Sequence, residues 1–392
     1  MARSASLTRS HQDKIAETPR REAPGVLREL TDAAGVTFNG SQPWDIQVKD
    51  DRLYDRVIRE GSLGFGEAYM DGWWECERLD ELFHQLLSVE ADEGLGRVAR
   101  LRFVIAYLRN VLMNRQSKSR AGEVGEQHYD AGNHIFEAML DPTMSYSCGY
   151  WADADNLADA QLAKLRLSCE KLQLEPGQRL LDIGCGWGGL AKFAAENYGV
   201  EVTGITISGE QKALAEERCR GLPVTIELMD YRDLEGTFDR VVSIGMFEHV
   251  GPKNYDAYFA TVHRLLADEG LFLLHTIANH RTAEANDDWM DKYIFPNGKL
   301  PSAQTLTAAM EPYFLIEDWH AFGQDYDRTL MAWWDNFDRA WPDLEHPQGE
   351  RFYRMWKYYL QLCAGFFRSR QGQLWQVMMG KRSRRDVYRS IR

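Results

Sequence analysis

The decapeptide LLDIGCGWGG at 180–189 sets Gly184, Gly186, Gly188 and Gly189 directly after an apolar run that contains Asp182. Glycines so placed let the chain turn sharply and bring its backbone against a ligand at the carboxyl end of a strand. As bare letters, Gly184, Gly186 and Gly189 also satisfy a dinucleotide-binding pattern, which is a weak signal alone. The end of the next strand separates the cofactors. A nicotinamide-binding chain offers Asp or Glu to the ribose there, whereas VTGIT ends in Thr206 and is followed by Gln211. This hydroxyl and amide suit an uncharged ribose or an amino-acid carboxylate. Asp230 and Tyr231, after the third strand, can meet an adenine by hydrogen bond and ring contact, and Asp182 favours a cationic amino-acid end. Together these residues point to S-adenosylmethionine. A nicotinamide cofactor and a structural glycine turn are the competing readings.

Such a loop needs a sheet to hold it. Strand patterns at 179–184, 200–206, 223–230, 238–246 and 270–277 alternate with helical patterns at 162–174, up to Tyr198, at 209–220 and at 254–267. This alternation implies an α/β domain with a parallel sheet covered on both faces. Further strands at 313–323 and 372–382 would add an antiparallel edge, giving the mostly parallel, seven-stranded, Rossmann-like sheet of class I S-adenosylmethionine-dependent methyltransferases. Upstream, 1–25 reads as a flexible N-terminus and 26–96 as a small α+β N-terminal domain associated with lipid or membrane. In that domain Val36–Phe38 and Ile46–Val48 read as short strands, and LYDRVIREGSLGFGEAYMDGWW as helix, glycine turn, helix. Residues 97–120 read as a basic linker helix with Leu101, Val104, Leu108 and Leu112 on one stripe, and 121–392 as the catalytic domain.

A chain of 392 residues, 44% of them hydrophobic, can bury two or three domain cores, which excludes collagen-like, disordered and disulfide-miniprotein classes. Its six cysteines form no CxxC pair and no ligand spacing, so reduced thiols and no metal are expected. No apolar run reaches the roughly 18–20 residues of a membrane span, and the N-terminus lacks the apolar core of a secretory signal, so residence in the cytoplasm is expected. The net charge of −13 is uneven: 97–120 carries +7, 368–392 carries +7 and 121–367 carries −19. That pattern suits an acidic body resting two basic stretches on an anionic membrane surface, and no nucleic-acid partner is expected.

Five segments, HYDAGNHIFEAMLDPTMSYSCGYW at 128–151, LDIGCGWGGL, TISGEQ, SIGMFEHVG at 243–251 and LLHTI at 273–277, occur in an order that resembles the cyclopropane fatty acid synthase and mycolic acid cyclopropane synthase family. The small N-terminal domain makes the phospholipid-modifying branch the closer match. The resemblance implies methyl transfer from S-adenosylmethionine to a cis double bond in a phospholipid acyl chain. The resulting carbocation loses a proton from the new methyl group to bound bicarbonate and closes to a cyclopropane.

Carried over residue by residue, the resemblance implies an anion site with main-chain contacts from Cys148 and Ile277 and side chains from Glu248, His275 and Tyr326. Glu248 would accept the proton of bicarbonate or orient His275. The resemblance also implies cofactor contacts from Tyr146, Ser147, Gly184, Gly186, Trp187 and Gly188, with His128 and Tyr129 in a lid. Cys363 matches a cysteine proposed as a nucleophile in the family, a role that methyl transfer to carbon does not need; packing in an aromatic helix is the alternative. Trp319, Phe322, Trp333, Trp334, Phe337, Tyr353, Trp356, Tyr359 and Phe366 are candidate walls of an acyl tunnel, with ordinary helix packing as the alternative for most of them. A homodimer on the inner face of the membrane is expected, because two linked sites gain avidity. The alternatives are a methyl-branching acyl methyltransferase, a small-molecule methyltransferase and a non-enzymatic lipid-binding scaffold.

Overall fold

The computed structural model describes residues 21–89, 132–282, 287–344 and 349–392. The basic stretch at 97–120, the boundary expected near 120, and His128 and Tyr129 lie outside the described residues.

The first elements are α1 (Gly25–Ala33), β1 (Gln47–Val48), α2 (Arg52–Glu60), α3 (Ser62–Met70), β2 (Trp74–Glu75) and α4 (Leu79–Ser88). The expected glycine turn between helices is Gly61, which joins α2 to α3 at φ +62°. The strand expected at Val36–Phe38 is not formed. Only Phe38 makes a bridge, to Ile46, because the buried Asp45 carboxylate takes the amides of Thr37 (2.7 Å) and Gln42 (2.8 Å) and bends the chain into a loop. β1 pairs instead with β2, antiparallel.

The chain continues through α5 (Asn133–Met139), α6 (Leu157–Lys171), β3 (Arg179–Ile183), α7 (Gly189–Tyr198), β4 (Glu201–Thr206), α8 (Gly209–Arg218), β5 (Val224–Leu228) and β6 (Phe238–Ile244). It ends with α9 (Tyr255–Leu265), β7 (Leu266–Asn279), α10 (Asp288–Tyr293), α11 (Ala303–Met310), β8 (Leu315–Ala321), α12 (Gln324–Ala340), α13 (Glu350–Arg368) and β9 (Gly372–Gly380). The strands lie in the order β5-β4-β3-β6-β7-β9-β8; β3 to β7 pair in parallel and β9 is antiparallel to both its neighbours. The expected α/β architecture with an antiparallel edge is therefore present. Leu180–Ile183 of β3 and Gly270–Thr276 of β7 are buried continuously, as strands covered on both faces must be. The sheet grows one way from β3 to β5 and the other way from β6, which opens a crevice beyond the carboxyl ends of β3 and β6.

The N-terminal elements share one core with the helices beside the sheet. A single cluster runs from Val36 and Trp74 to Trp333 and Trp356. At Gly365 on α13, a Cβ would collide with the Phe83 side chain and the backbone of α4, so glycine is what allows these helices to touch. Arg368 pairs with Asp80 (2.7 Å), Glu81 (3.1 Å) and Asp327 (2.9 Å), and Arg354 reaches the Tyr69 carbonyl and the Glu75 carboxylate. Glu67 receives Arg56, Lys292 and the Tyr293 hydroxyl.

Several rings expected as tunnel walls are helix packing. Trp334, Phe337, Tyr353 and Trp356 contact one another or their neighbours between α12 and α13, and Trp319 lies edge-on to Trp375 on the sheet. The basic stretch at 368–392 is also partly consumed by the fold: Arg368, Lys381, Arg384 and Arg392 all pair with acids, Arg392 with Asp318.

Arg368→Ala tests the docking of α13 on the N-terminal elements. The expected loss is about 1–3 kcal/mol, below that of a fully buried pair because the guanidinium is partly exposed and Arg78 still reaches Asp80. Urea unfolding measures it, and an unchanged midpoint would contradict the docking.

Candidate active site

The carboxyl ends of β3, β4, β5 and β6 enclose a cavity of about 210 Å³. Gly184, at φ +85°, turns the chain away from β3, and a Cβ there would lie 2.8 Å from Met246. Tyr146, Ser147, Asp182, Gly184, Gly186, Trp187, Thr206, Gln211, Asp230 and Tyr231 all line the cavity. Gly188 does not. It is the left-handed residue that starts α7, and it packs towards Ala215 and Cys219.

The lining groups are held by one another. Thr206 Oγ1 donates to Gln211 Oε1 at 2.7 Å, which leaves the Gln211 amide N–H groups as the donors this pair can offer. Asp230 accepts from the Arg232 backbone and its guanidinium, fixing the turn that presents Tyr231. Trp187 donates to Asn133 at 3.0 Å and packs on Phe136.

Lys164 on α6 was not legible as a site residue. It is buried, lines the cavity with Asp182 and donates to Ser147 Oγ at 3.1 Å. Burial pushes the Asp182 carboxyl up to about 7, with the Lys164 charge opposing, and pushes the Lys164 ammonium down to about 8. The available signal was a polar stripe: Gln161, Lys164, Ser168 and Lys171 recur at helical spacing and are all buried. His249, also missed, lines the cavity, and burial lowers it to about 4.

The residues expected at an anion site come from four elements or their flanks. Glu248 follows β6, His275 and Ile277 lie on β7, Tyr326 lies on α12, and Cys148 sits between α5 and α6. The Ile277 amide does not stand open: it donates to Glu248 Oε1 at 2.7 Å, because a buried carboxylate takes the nearest donor. Glu248 does not hydrogen-bond the His275 ring, whose Nδ1 faces Gln376 instead. Glu248 Oε2 and His275 Nε2 are both buried without a hydrogen-bond partner among the described residues.

Burial pushes the Glu248 carboxyl up to about 7, while the Ile277 amide and Thr276 hydroxyl draw it down. Burial, and then the Lys164 and Lys171 charges, hold His275 well below the usual histidine range, so it is neutral. Burial raises the Tyr326 hydroxyl, with the Glu248 carboxylate adding, so Tyr326 remains protonated. Cys148 is buried, with Sγ 3.1 Å from the Gly149 carbonyl. Tyr146 and Tyr359 share a 2.7 Å hydroxyl contact. Burial pushes the Cys363 thiol up to about 12, which keeps it out of the thiolate form a nucleophile needs.

Asp182→Asn should expose the cost of that burial. A carboxyl raised in the folded state stabilises below its unfolded value, and this contribution is lost as pH rises through about 7. The stability difference between variant and parent should therefore move in the variant's favour by about 1–3 kcal/mol between pH 5 and 8. Denaturant titrations at both pH values measure it; a pH-independent difference would contradict the shift.

Comparison with known proteins agrees with this geometry. The family model described as mycolic acid cyclopropane synthetase matches residues 116–377. The chain is 57% identical over 356 residues to cyclopropane-fatty-acyl-phospholipid synthase of Escherichia coli K12, covering 91% of this chain and 93% of that one. Among solved structures, the cyclopropane synthase MmaA2 of Mycobacterium tuberculosis is 31% identical with a TM-score of 0.63, covering 66% of this chain and 98% of its own. The mycolic acid cyclopropane synthase CmaA1, complexed with SAH and CTAB, is 32% identical with a TM-score of 0.62 and the same coverage. The sheet, the glycine cradle and these matches agree: the chain belongs to the mycolic acid cyclopropane synthetase family of S-adenosylmethionine-dependent methyltransferases.

Proposed function

We propose that this chain converts cis-unsaturated acyl chains of membrane phospholipids to cyclopropane chains, with S-adenosylmethionine as methyl donor and bicarbonate as base. The observation that carries the reading is that Glu248 Oε2, just beyond β6, and His275 Nε2, on β7, are both buried without a hydrogen-bond partner among the described residues. A carboxyl poised near 7, a neutral imidazole and the Tyr326 hydroxyl fit an ion that both donates and accepts hydrogen bonds. Gln211, Asp182 and the Gly184–Gly186 turn fit the amino-acid and ribose portions of the donor, and Asp230 with Tyr231 its adenine.

When bound, S-adenosylmethionine supplies an electrophilic methyl and bicarbonate a proton acceptor. An unactivated alkene is a weak nucleophile, so the chain must align it and keep water from the cation that forms on it. Tyr146 against Trp333 (5.1 Å) and Tyr326 against Phe367 (4.5 Å) provide ring faces that exclude water and favour a cation. Glu248 accepts the hydroxyl proton of the anion, while His275 and Tyr326 donate to its oxygens. Cys148 and Ile277 form the backbone wall of that site, and Cys363 serves as packing. The net change is insertion of one CH₂, with one proton released.

The substrate lies in a bilayer, and among the described residues no helix is long and apolar enough to cross one. We place the enzyme, as a homodimer, at the cytoplasmic face of the membrane. Val26, Leu30 and Ile58 on the N-terminal helices are exposed apolar side chains suited to that surface.

The test is incubation with cis-unsaturated phospholipid vesicles and S-adenosylmethionine. Each modified chain should gain about 14 mass units and resist hydrogenation as a ring. A saturated methyl branch would indicate the methyl-branching alternative, and turnover of a free amine or alcohol without vesicles would indicate a small-molecule enzyme. Glu248→Gln and His275→Ala should each lower turnover by roughly 100-fold while cofactor affinity, measured by calorimetry, stays nearly constant. Loss of cofactor binding in both would contradict the anion site.

A further inference from the structure

The buried polar stripe of α6 faces a second polar row on the sheet. The pairing of β7, β9 and β8 sets His275 opposite Gln376, and Gln376 opposite His320. Ser168, Gln376 and His275 are all fully buried, an arrangement that costs stability unless their polar atoms pair with one another.

The direction of each hydrogen bond follows from one proton. Ser168 Oγ donates to the Lys164 carbonyl at 2.7 Å, so its only proton is committed and its oxygen can only accept towards the sheet. The Gln376 side chain lies 3.2 Å from that oxygen and must therefore present its nitrogen, since the flipped amide would set two acceptors face to face. The same nitrogen lies 3.3 Å from His275 Nδ1 and supplies its second N–H there. His275 Nδ1 is then an acceptor. In a neutral imidazole the ring proton must sit on Nε2, the atom that is buried without a hydrogen-bond partner among the described residues.

We propose that Gln376, oriented by Ser168, is a positioning residue that locks His275 in the Nε2–H tautomer, so that His275 is a hydrogen-bond donor to the bound anion and not the base. The proposal rests on the reading of Glu248 and His275 as that anion site. It assigns proton acceptance to the anion alone. It also accounts for a glutamine in the interior of a buried strand, where an apolar side chain would otherwise pack.

The experiment uses the full-length enzyme with ¹⁵N-labelled histidine and long-range ¹H–¹⁵N correlation, the His275 signal being assigned by its loss in His275→Ala. The parent should show a protonated Nε2 and an unprotonated Nδ1. In Gln376→Glu the carboxylate accepts where the amide donated, so the proton should move to Nδ1 and kcat should fall by at least about 10-fold, with KM for S-adenosylmethionine changed by less than about 2-fold. Gln376→Met, close in volume and unable to hydrogen-bond strongly, should keep the fold by circular dichroism, give a mixture of tautomers and lower kcat in the same sense. Ser168→Ala, which frees the amide to rotate, should have a smaller effect of the same kind. A parent with the proton on Nδ1, or a Gln376→Glu enzyme with unchanged tautomer and kcat, would overturn the proposal. Failure of the underlying site reading is distinguishable: His275→Ala would then retain turnover whatever tautomer the parent shows.

Discussion

Desolvation governs this pocket: the proposed alkylation of a weakly nucleophilic alkene requires a dry site, and a dry site changes every ionisable group placed in it. Burial is the first cause of the shift at Glu248, His275, Lys164 and Asp182. It draws the two carboxyls up to about 7 and the Lys164 ammonium down to about 8, and it keeps the His275 ring neutral. Groups so placed can hold a polar cofactor and a small anion without standing as strongly solvated charges. They also explain why Cys363, although near Tyr326, stays a thiol.

The remainder of the structure serves that dryness. The reversal of sheet growth between β3 and β6 creates the crevice, and the glycine turn lets the backbone approach what lies in it. α12 and α13 cover the far side with stacked rings, and α13 is held against α3 and α4 by Gly365, Arg354 and Arg368. The N-terminal elements thus bear on the helix that carries Tyr359, whose hydroxyl meets Tyr146 at the cofactor cavity. A substitution far from the chemistry can therefore reach it through a packed helix.

Much of this was legible in the sequence because the relevant signals are local. Apolar strand runs alternating with helical spacing, and the four glycines, define the sheet and its loop, and Thr206 in place of an acid separates the cofactors. What escaped was set by burial. Lys164 in LAKLRL reads as an exposed basic position, and only the register of α6 against the sheet shows that it points inwards. Gln376 in QLWQVMMG has no local signal, since its partners are 208 and 101 residues away. The tunnel rings could not be sorted from packing rings without seeing which helix each one faces. Val36–Phe38 has strand composition, but Asp45 captures the amide that a strand would need.

The central claim is that Glu248 Oε2 and His275 Nε2 together receive a bicarbonate ion. The direct measurement is ¹³C NMR of labelled bicarbonate with the enzyme and S-adenosylhomocysteine. The parent should give a bound or exchange-broadened signal that is absent in Glu248→Gln and in His275→Ala. A signal of equal strength in all three proteins, or none in the parent at concentrations that support turnover, would contradict it.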